Sequence, residues 1–192
     1  MKIFLTDQKK YLHHHLLHLM KMPVMAYDVS AIAHKVSSLP IKGMVAIGDL
    51  DLTFLFDYNI FPTHIMSFLT QWDFEKREMR IGDTIAQQVY LPPTPFFSQK
   101  LIFGVRIKDI FNEPGKRGFS YETLEGHAEK GISYFTVENA ETGPVFKIET
   151  YSEPSNFVSK LMGPIFSNPY QAYCTKKAMQ NVKGKLESTA NS

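Results

Sequence analysis

Two hydrophobic rhythms divide this chain. In "DQKKYLHHHLLHLMKM", Leu12, Leu16, Leu19 and Met20 recur at i, i+4, i+7 and i+8, which puts them on one face of a helix. Asp7 stands where a cap belongs, and Pro23 marks the stop. Residues 25–43 are weakly periodic, with Pro40 and Gly43 reading as a connection. The rhythm then shortens. In "DLDLTFLFDY", Leu50, Leu52, Phe54 and Phe56 alternate with Asp49, Asp51, Thr53 and Leu55, which predicts a strand with one buried face. "FPTHIMSFLTQW" returns to the longer period: Ile65, Phe68, Leu69 and Trp72 share a side, and Pro62 suits a first helical turn.

From residue 78 the two-residue period dominates. "MRIGDTIAQQVYLPP", "SQKLIFGVRIKDIF", "FSYETL", "ISYFTVE" and "PVFKIETYSEP" read as strands, joined by "NEPGKRG", "EGHAEKG" and "NAETG" as turns. This is an antiparallel meander. "PSNFVSKLMGP" predicts one short helix. "NPYQAYCTKKAMQNVKGKL" predicts a long one, starting at Asn168 and Pro169, with Tyr170, Tyr173, Cys174, Ala178, Val182 and Leu186 on its apolar face. A meander needs its apolar face covered, and a terminal amphipathic helix can do so. The fold class is therefore α+β: an antiparallel sheet curved around a long C-terminal helix, with an extra N-terminal helix. The expected organisation is a helical segment and connection over 1–43, the sheet-and-helix domain over 44–187, and a frayed tail over 188–192.

Composition adds bounds. The 192 residues suffice for one ordinary core. A net charge of +2 argues against a dedicated nucleic-acid binder. Lys176, Lys177, Lys183 and Lys185 fall late in the terminal helix, where they complement its dipole. Cys174 is the single cysteine, so no intramolecular disulfide forms. The N-terminus turns charged after five residues, unlike a signal peptide, and no apolar run reaches the ~18 residues of a spanning helix. A cytoplasmic protein without a transmembrane segment is the expectation.

The order of elements resembles the helix-grip layout of the START or Bet v 1-like superfamily, whose members enclose a cavity between sheet and helix. A more specific resemblance lies in "GFSYETLEGHAEKGISYF". Phe119, Tyr121, Thr123, Leu124, Gly126, His127, Glu129, Gly131 and Phe135 match the pattern of the domain-of-unknown-function family nineteen-ninety. In "YSEPSNFVSKLMGPIFSNPYQAY", Tyr151, Ser152, Pro154, Gly163, Pro164 and Gln171 match a second pattern, with Tyr151 where Phe is more usual. The resemblance covers 68–186 and is tightest over 117–173. It departs at Glu122, where many members carry Gly, and at Ala128, where many carry Pro. It implies a fold and no mechanism.

His127 is the main candidate for chemistry. An imidazole beside carboxylates can serve as general acid/base, with Glu129 or Glu125 orienting it and Tyr121 or Tyr134 as a second donor. Two blander readings compete: a solvated hairpin turned by Gly126 and Gly131, or a side chain that bonds the loop backbone and fixes its shape. The rings supply the other candidates. Trp72, Phe119, Tyr121, Thr123, His127, Tyr134 and Tyr173 are the expected lining of a ligand cavity, with Phe119, Tyr121 and Thr123 on the concave face by strand alternation. Phe96, Phe97, Phe103, Phe135, Phe146 and Tyr151 complete an aromatic-rich set that simple packing would also explain. In "HHHLLH", His14 or His15 with His18 has metal-binding spacing, and Asp49, Asp51 and Asp57 are further donors, but the zinc-protease Glu is missing. No metal or cofactor is expected, and a catalytic role for Cys174 is not either. No phosphate loop is present, since Gly115, Lys116 and Arg117 lead into a strand.

Three functions follow. The leading one is binding of a small apolar or amphipathic ligand or lipid between sheet and helix. The second is a cavity enzyme of cyclase, hydratase or hydrolase type using His127. The third is a protein-interaction module docking through the His-rich helix or a sheet edge.

Overall fold

A computed structural model of the chain describes residues 2–41, 46–94, 97–141, 143–155 and 168–189. The elements run β1 (Lys2–Phe4), α1 (Leu12–Leu19) after a 3-10 turn, β2 (Ala33–Pro40), α2 (Thr53–Phe56), β3 (Met66–Thr70), α3 (Gln71–Phe74), β4 (Thr84–Leu91), β5 (Gln99–Glu113), β6 (Lys116–Thr123), β7 (Glu129–Ala140), β8 (Gly143–Pro154) and α4 (Asn168–Thr189). The strands make one eight-stranded antiparallel sheet in the order β2-β8-β7-β6-β5-β4-β3, with β1 added to β5. The α+β class, the meander, the N-terminal helix and the C-terminal helix are all present as the periodicities predict.

Each face of the sheet carries a helix. On the outer face lies α1, whose Leu12, Leu16 and Leu19 pack on Ala86, Ile102 and Leu124. Burying three leucines supplies about 1.5–3 kcal/mol each. The close fit has a cause in β5: a Cβ on Gly104 would sit 2.8 Å from both Leu19 Cδ2 and Leu124 Cδ1. On the inner face, Phe119, Phe135, Val137, Phe146 and Ile148 meet Ala178, Val182 and Leu186 of α4. The buried stripe on α4 is narrow, and polar ties reinforce it. Tyr170 Oη donates to the Tyr90 carbonyl at 2.7 Å, and Asn181 Nδ2 donates to the Ile60 carbonyl at 2.9 Å.

Three expectations are corrected. The "DLDLTFLFDY" stretch is not a strand but two short helical turns, Ile47–Asp49 and Thr53–Phe56. Its buried residues are Leu52, Leu55 and Tyr58, so their three-residue spacing governs and the alternation of 50, 52, 54 and 56 is incidental. "FPTHIMSFLTQW" is not a helix. A turn at Pro62, whose carbonyl accepts from Ile65 N–H at 2.9 Å, leads into β3. Phe68 packs into the inner cluster and Leu69 into the outer one. A strand clothed on both faces has no alternation to show, and its apolar run mimics a helix. Finally, 25–43 is more than a connection, because it contains β2 with eight register pairs to β8. Both β1 and β2 thus precede residue 44 yet belong to the sheet. Residues 156–164 of the short helix expected in "PSNFVSKLMGP" lie outside the described residues, as do the Gly163-Pro164 part of the second family pattern and Phe96.

Candidate functional site

Between the sheet and α4 runs a cleft of about 500 Å³. Strand pairing decides its walls. Tyr121 on β6 faces Ser133 on β7, Ser133 faces Thr150 on β8, and Thr150 faces Lys35 on β2, so one row of side chains crosses four strands on the inner face. Phe135 and Ile148 form the neighbouring row, and Gln171, Cys174 and Met179 of α4 close over both. The lining has two characters. Phe61, Phe135, Ile148 and Met179 make an apolar part. Lys35, Glu129, Ser133, Thr150, Gln171 and Lys176 make a polar part. Lys35 Nζ donates to Gln171 Oε1 at 2.8 Å, joining the edge strand to α4 across the cleft. Glu129 accepts from Ser152 Oγ at 3.0 Å, and burial raises its carboxyl above the usual range.

A buried polar set backs the cleft at Tyr121. Tyr58 is wholly enclosed and packs its ring edge-on against Phe68, 5.1 Å between centroids, with Tyr121 at 6.3 Å. Gln87, on the inner face of β4, donates from Nε2 to Tyr58 Oη at 2.6 Å. Tyr58, Gln87 and Ser133 lie near the Tyr121 hydroxyl and offset part of the effect of its burial. Burial is the first cause that pushes both phenols above their ordinary range, so both are neutral at physiological pH. Tyr58 also has a φ of 59°, in the left-handed region that side chains seldom occupy. Burial likewise pushes the Cys174 thiol up to about 11.

His127 sits in the β6–β7 connection. Gly126 turns the chain at φ 84°. Gly131 is placed at φ 149° against β8, where a Cβ would come within 1.9 Å of the Tyr151 carbonyl oxygen. The loop is held by backbone bonds from Glu125 to Pro23 and from His127 to Leu124. The imidazole does not extend into the cleft lining. Its Nδ1 lies 2.9 Å from the Glu129 carbonyl oxygen and 3.0 Å from the Glu129 backbone nitrogen, and its ring packs on Phe103 at 4.6 Å. Burial is the main cause that lowers its pKa from 6.5 to about 4, outweighing the opposing pull of the Glu129 backbone. The arrangement is that of a neutral ring fastening its own loop.

Of the ring candidates, Tyr121 lines the cleft and Phe119 lies beside it in the core. Thr123 is buried with its Oγ1 accepting from Gly131 N–H at 3.0 Å. Tyr134 lies on the outer face, 6.4 Å from Tyr151, as alternation with Ser133 requires. Trp72 is buried in α3 and lines two separate pockets, of about 380 and 550 Å³, together with Asp57 and Arg77. Tyr173 is exposed, and so is Phe97. Among the described residues no three His, Cys, Asp or Glu side chains gather as a metal site, the His14, His15 and His18 cluster included. The residues that sequence reading missed are Tyr58, Gln87, Phe61, Lys35, Ser133, Ile148, Thr150, Gln171 and Met179. Register would have given Ser133, Thr150 and Ile148 once Tyr121 was placed.

Comparison with known proteins adds the following. The family model described as "Domain of unknown function (DUF1990)" matches residues 55–181. A comparison with curated proteins gives no match. A solution structure of the KanY protein, 14% identical, aligns over 82% of this chain and 99% of its own with a TM-score of 0.52. A crystal structure of a hypothetical protein from Helicobacter pylori, 8% identical, aligns over 79% of this chain and 85% of its own with a TM-score of 0.50. At these identities the likeness concerns the fold alone.

Proposed function

The chain belongs to the domain-of-unknown-function family DUF1990, a name that carries no activity, and from the cleft itself we propose that the protein binds a small amphipathic molecule between its sheet and α4. One observation carries this reading: a cleft of about 500 Å³ whose apolar part and polar part lie side by side. Small-molecule sites typically span ~300–1,000 Å³ with apolar walls and a few polar groups that fix orientation. The reading takes the sheet and helix as a helix-grip of the START or Bet v 1-like kind, holding its ligand where those folds have their cavity. No helix among the described residues is long and apolar enough to cross a membrane. A lone thiol with a raised pKa accords with a cytoplasmic setting.

The test is a titration with 1-anilinonaphthalene-8-sulfonate, followed by fluorescence and by thermal unfolding. Saturable binding with a rise in Tm is expected, by mass action on the native state. Met179→Trp, which fills the apolar part, should abolish it while leaving the far-ultraviolet circular dichroism unchanged. Binding that survives Met179→Trp undiminished counts against this site.

A further inference from the structure

We propose that the protein docks on an anionic lipid surface through a small apolar tip, Leu5 and Phe97, set among Lys2, Lys9 and Lys10. None of these residues lines the cleft, so this surface is independent of it. Leu5 is 82% exposed and Phe97 93%, the two most exposed large apolar side chains among the described residues. One such side chain alone would need no explanation. These two stand on neighbouring segments, because a single ammonium ties the segments together. Lys100 Nζ donates to the Leu5 carbonyl at 3.2 Å and to the carbonyl of Ser98, the residue after Phe97, at 2.7 Å. Lys100 is only 3% exposed, so a buried cation is committed to fixing this corner. The chain after Leu5 is anchored as well. Gln8 N–H donates to the buried Gln88 Oε1 at 2.6 Å, and Gln88 Nε2 donates to Asp7 Oδ1 at 3.1 Å. The backbone of the tip is held in place while its side chains stand in water, which leaves little ordering to be supplied on docking.

The charge around the tip is one-sided. Residues 1–20 and 88–104 together hold Lys2, Lys9, Lys10 and Lys100 against one carboxylate, Asp7. Asp7 is engaged by Gln88 and by the Lys9 backbone N–H at 2.8 Å. Lys9 Nζ lies 6.0 Å from the centroid of the Tyr90 ring, and Tyr90 is the register partner of Lys100. Lys10 Nζ lies 5.0 Å from the ring of the half-exposed Tyr11. Lys2, Lys9 and Lys10 make no ion pair among the described residues. Size decides between a protein and a bilayer as the partner. Two projecting side chains fall far short of the ~800 Å² per partner of a stable protein interface. They suit a bilayer, where the tip enters the acyl boundary and the lysines keep their ammonium groups at headgroup depth.

The experiment is co-sedimentation of the full chain with sucrose-loaded vesicles, either phosphatidylcholine alone or phosphatidylcholine with about one-third phosphatidylserine. The protein should bind the anionic vesicles in preference to the neutral ones, and added salt should release it. Lys9→Gln and Lys10→Gln should each weaken binding roughly fivefold. The double change Leu5→Ser and Phe97→Ser should weaken it roughly tenfold or more. Both side chains are exposed, so circular dichroism and Tm should stay unchanged and establish that the variant is folded. Phe97→Trp reports the depth of insertion, measured against the native protein, whose single Trp72 is buried. Its emission should shift to the blue on anionic vesicles and be quenched by lipids brominated in the acyl chain. If the double variant does not fold, that quenching decides the matter. No binding, equal binding to both vesicles, binding undiminished in the double variant, or an unquenched Phe97→Trp each overturns the proposal. So does a dimer in analytical ultracentrifugation that the double variant dissociates, since the tip would then belong to a second copy of the chain.

Discussion

Replacing His127 by Gln tests the loop-fastening role through linkage to pH. The native imidazole is neutral, with Nδ1 held against the Glu129 backbone, and its pKa falls from 6.5 to about 4 on folding. The unfolded chain therefore binds a proton more readily than the folded one. Stability tied to this group is present in full above about pH 6.5 and is lost as pH falls from there toward 4. Between pH 7.5 and pH 5 the two pKa values give a loss of about 2 kcal/mol, or less where solvent reaches the ring. Glutamine does not titrate in this range, and its Oε1 can still accept from Glu129 N–H. Urea unfolding at both pH values, on the native protein and on His127→Gln, isolates the contribution. The native protein should lose about 2 kcal/mol more than the variant over that interval. Parallel losses in the two proteins would refute the reasoning, since they would show that His127 titrates alike in both states.

Four further outcomes follow from the packing. Gly131→Ala should cost more than ~3 kcal/mol or prevent folding, because its Cβ would meet the Tyr151 carbonyl at 1.9 Å, whereas Gly48→Ala, with nothing within 4 Å, should change the urea midpoint little. Gly104→Ala should be milder, about 1–3 kcal/mol by chemical denaturation, because the obstructing Leu19 and Leu124 atoms are side chains that can move. Removal of residues 1–24 should lower Tm and expose Ala86, Ile102 and Leu124, read as increased light scattering. Unchanged stability there would contradict the covering role of α1. Alkylation of Cys174 by iodoacetamide at pH 8 should run about a hundredfold slower in the folded protein than in urea, in proportion to the thiolate available at a pKa of about 11 instead of 9.

How much of this was legible depended on where each residue's neighbours came from. The meander was readable because one turn of chain makes each hairpin, and Phe103, Val105 and Ile107 mark the inner face of β5 by their alternation. The same holds for α1, whose Leu12, Leu16 and Leu19 lie against the sheet as their spacing requires. Illegibility set in where both faces are clothed, as at Phe68 and Leu69, or where the chain is exposed on nearly every residue, as in β2. The cleft was harder still. Tyr121 and Glu129 were named beforehand, but their partners arrive from residues 35, 58, 87 and 171, through register and helix placement that no local pattern encodes. Tyr58 was hidden in a stretch read with the wrong period.

The edge position of β2 bears on how the cleft is reached. Every inner strand of the sheet is hydrogen-bonded on both sides, whereas β2 is paired with β8 alone. It nevertheless carries Lys35 and Ser37, two residues of the cleft wall, and Lys35 is its tie to α4. The wall is thus as durable as a single ladder of bonds. Peel that ladder and the cleft gains a door, at the cost of the contact that Leu39 makes with the inner core. In hydrogen–deuterium exchange the amides of β2 should lose protection well before those of β6 and β7. A bound molecule should slow β2 most, since it would be latching that door from inside.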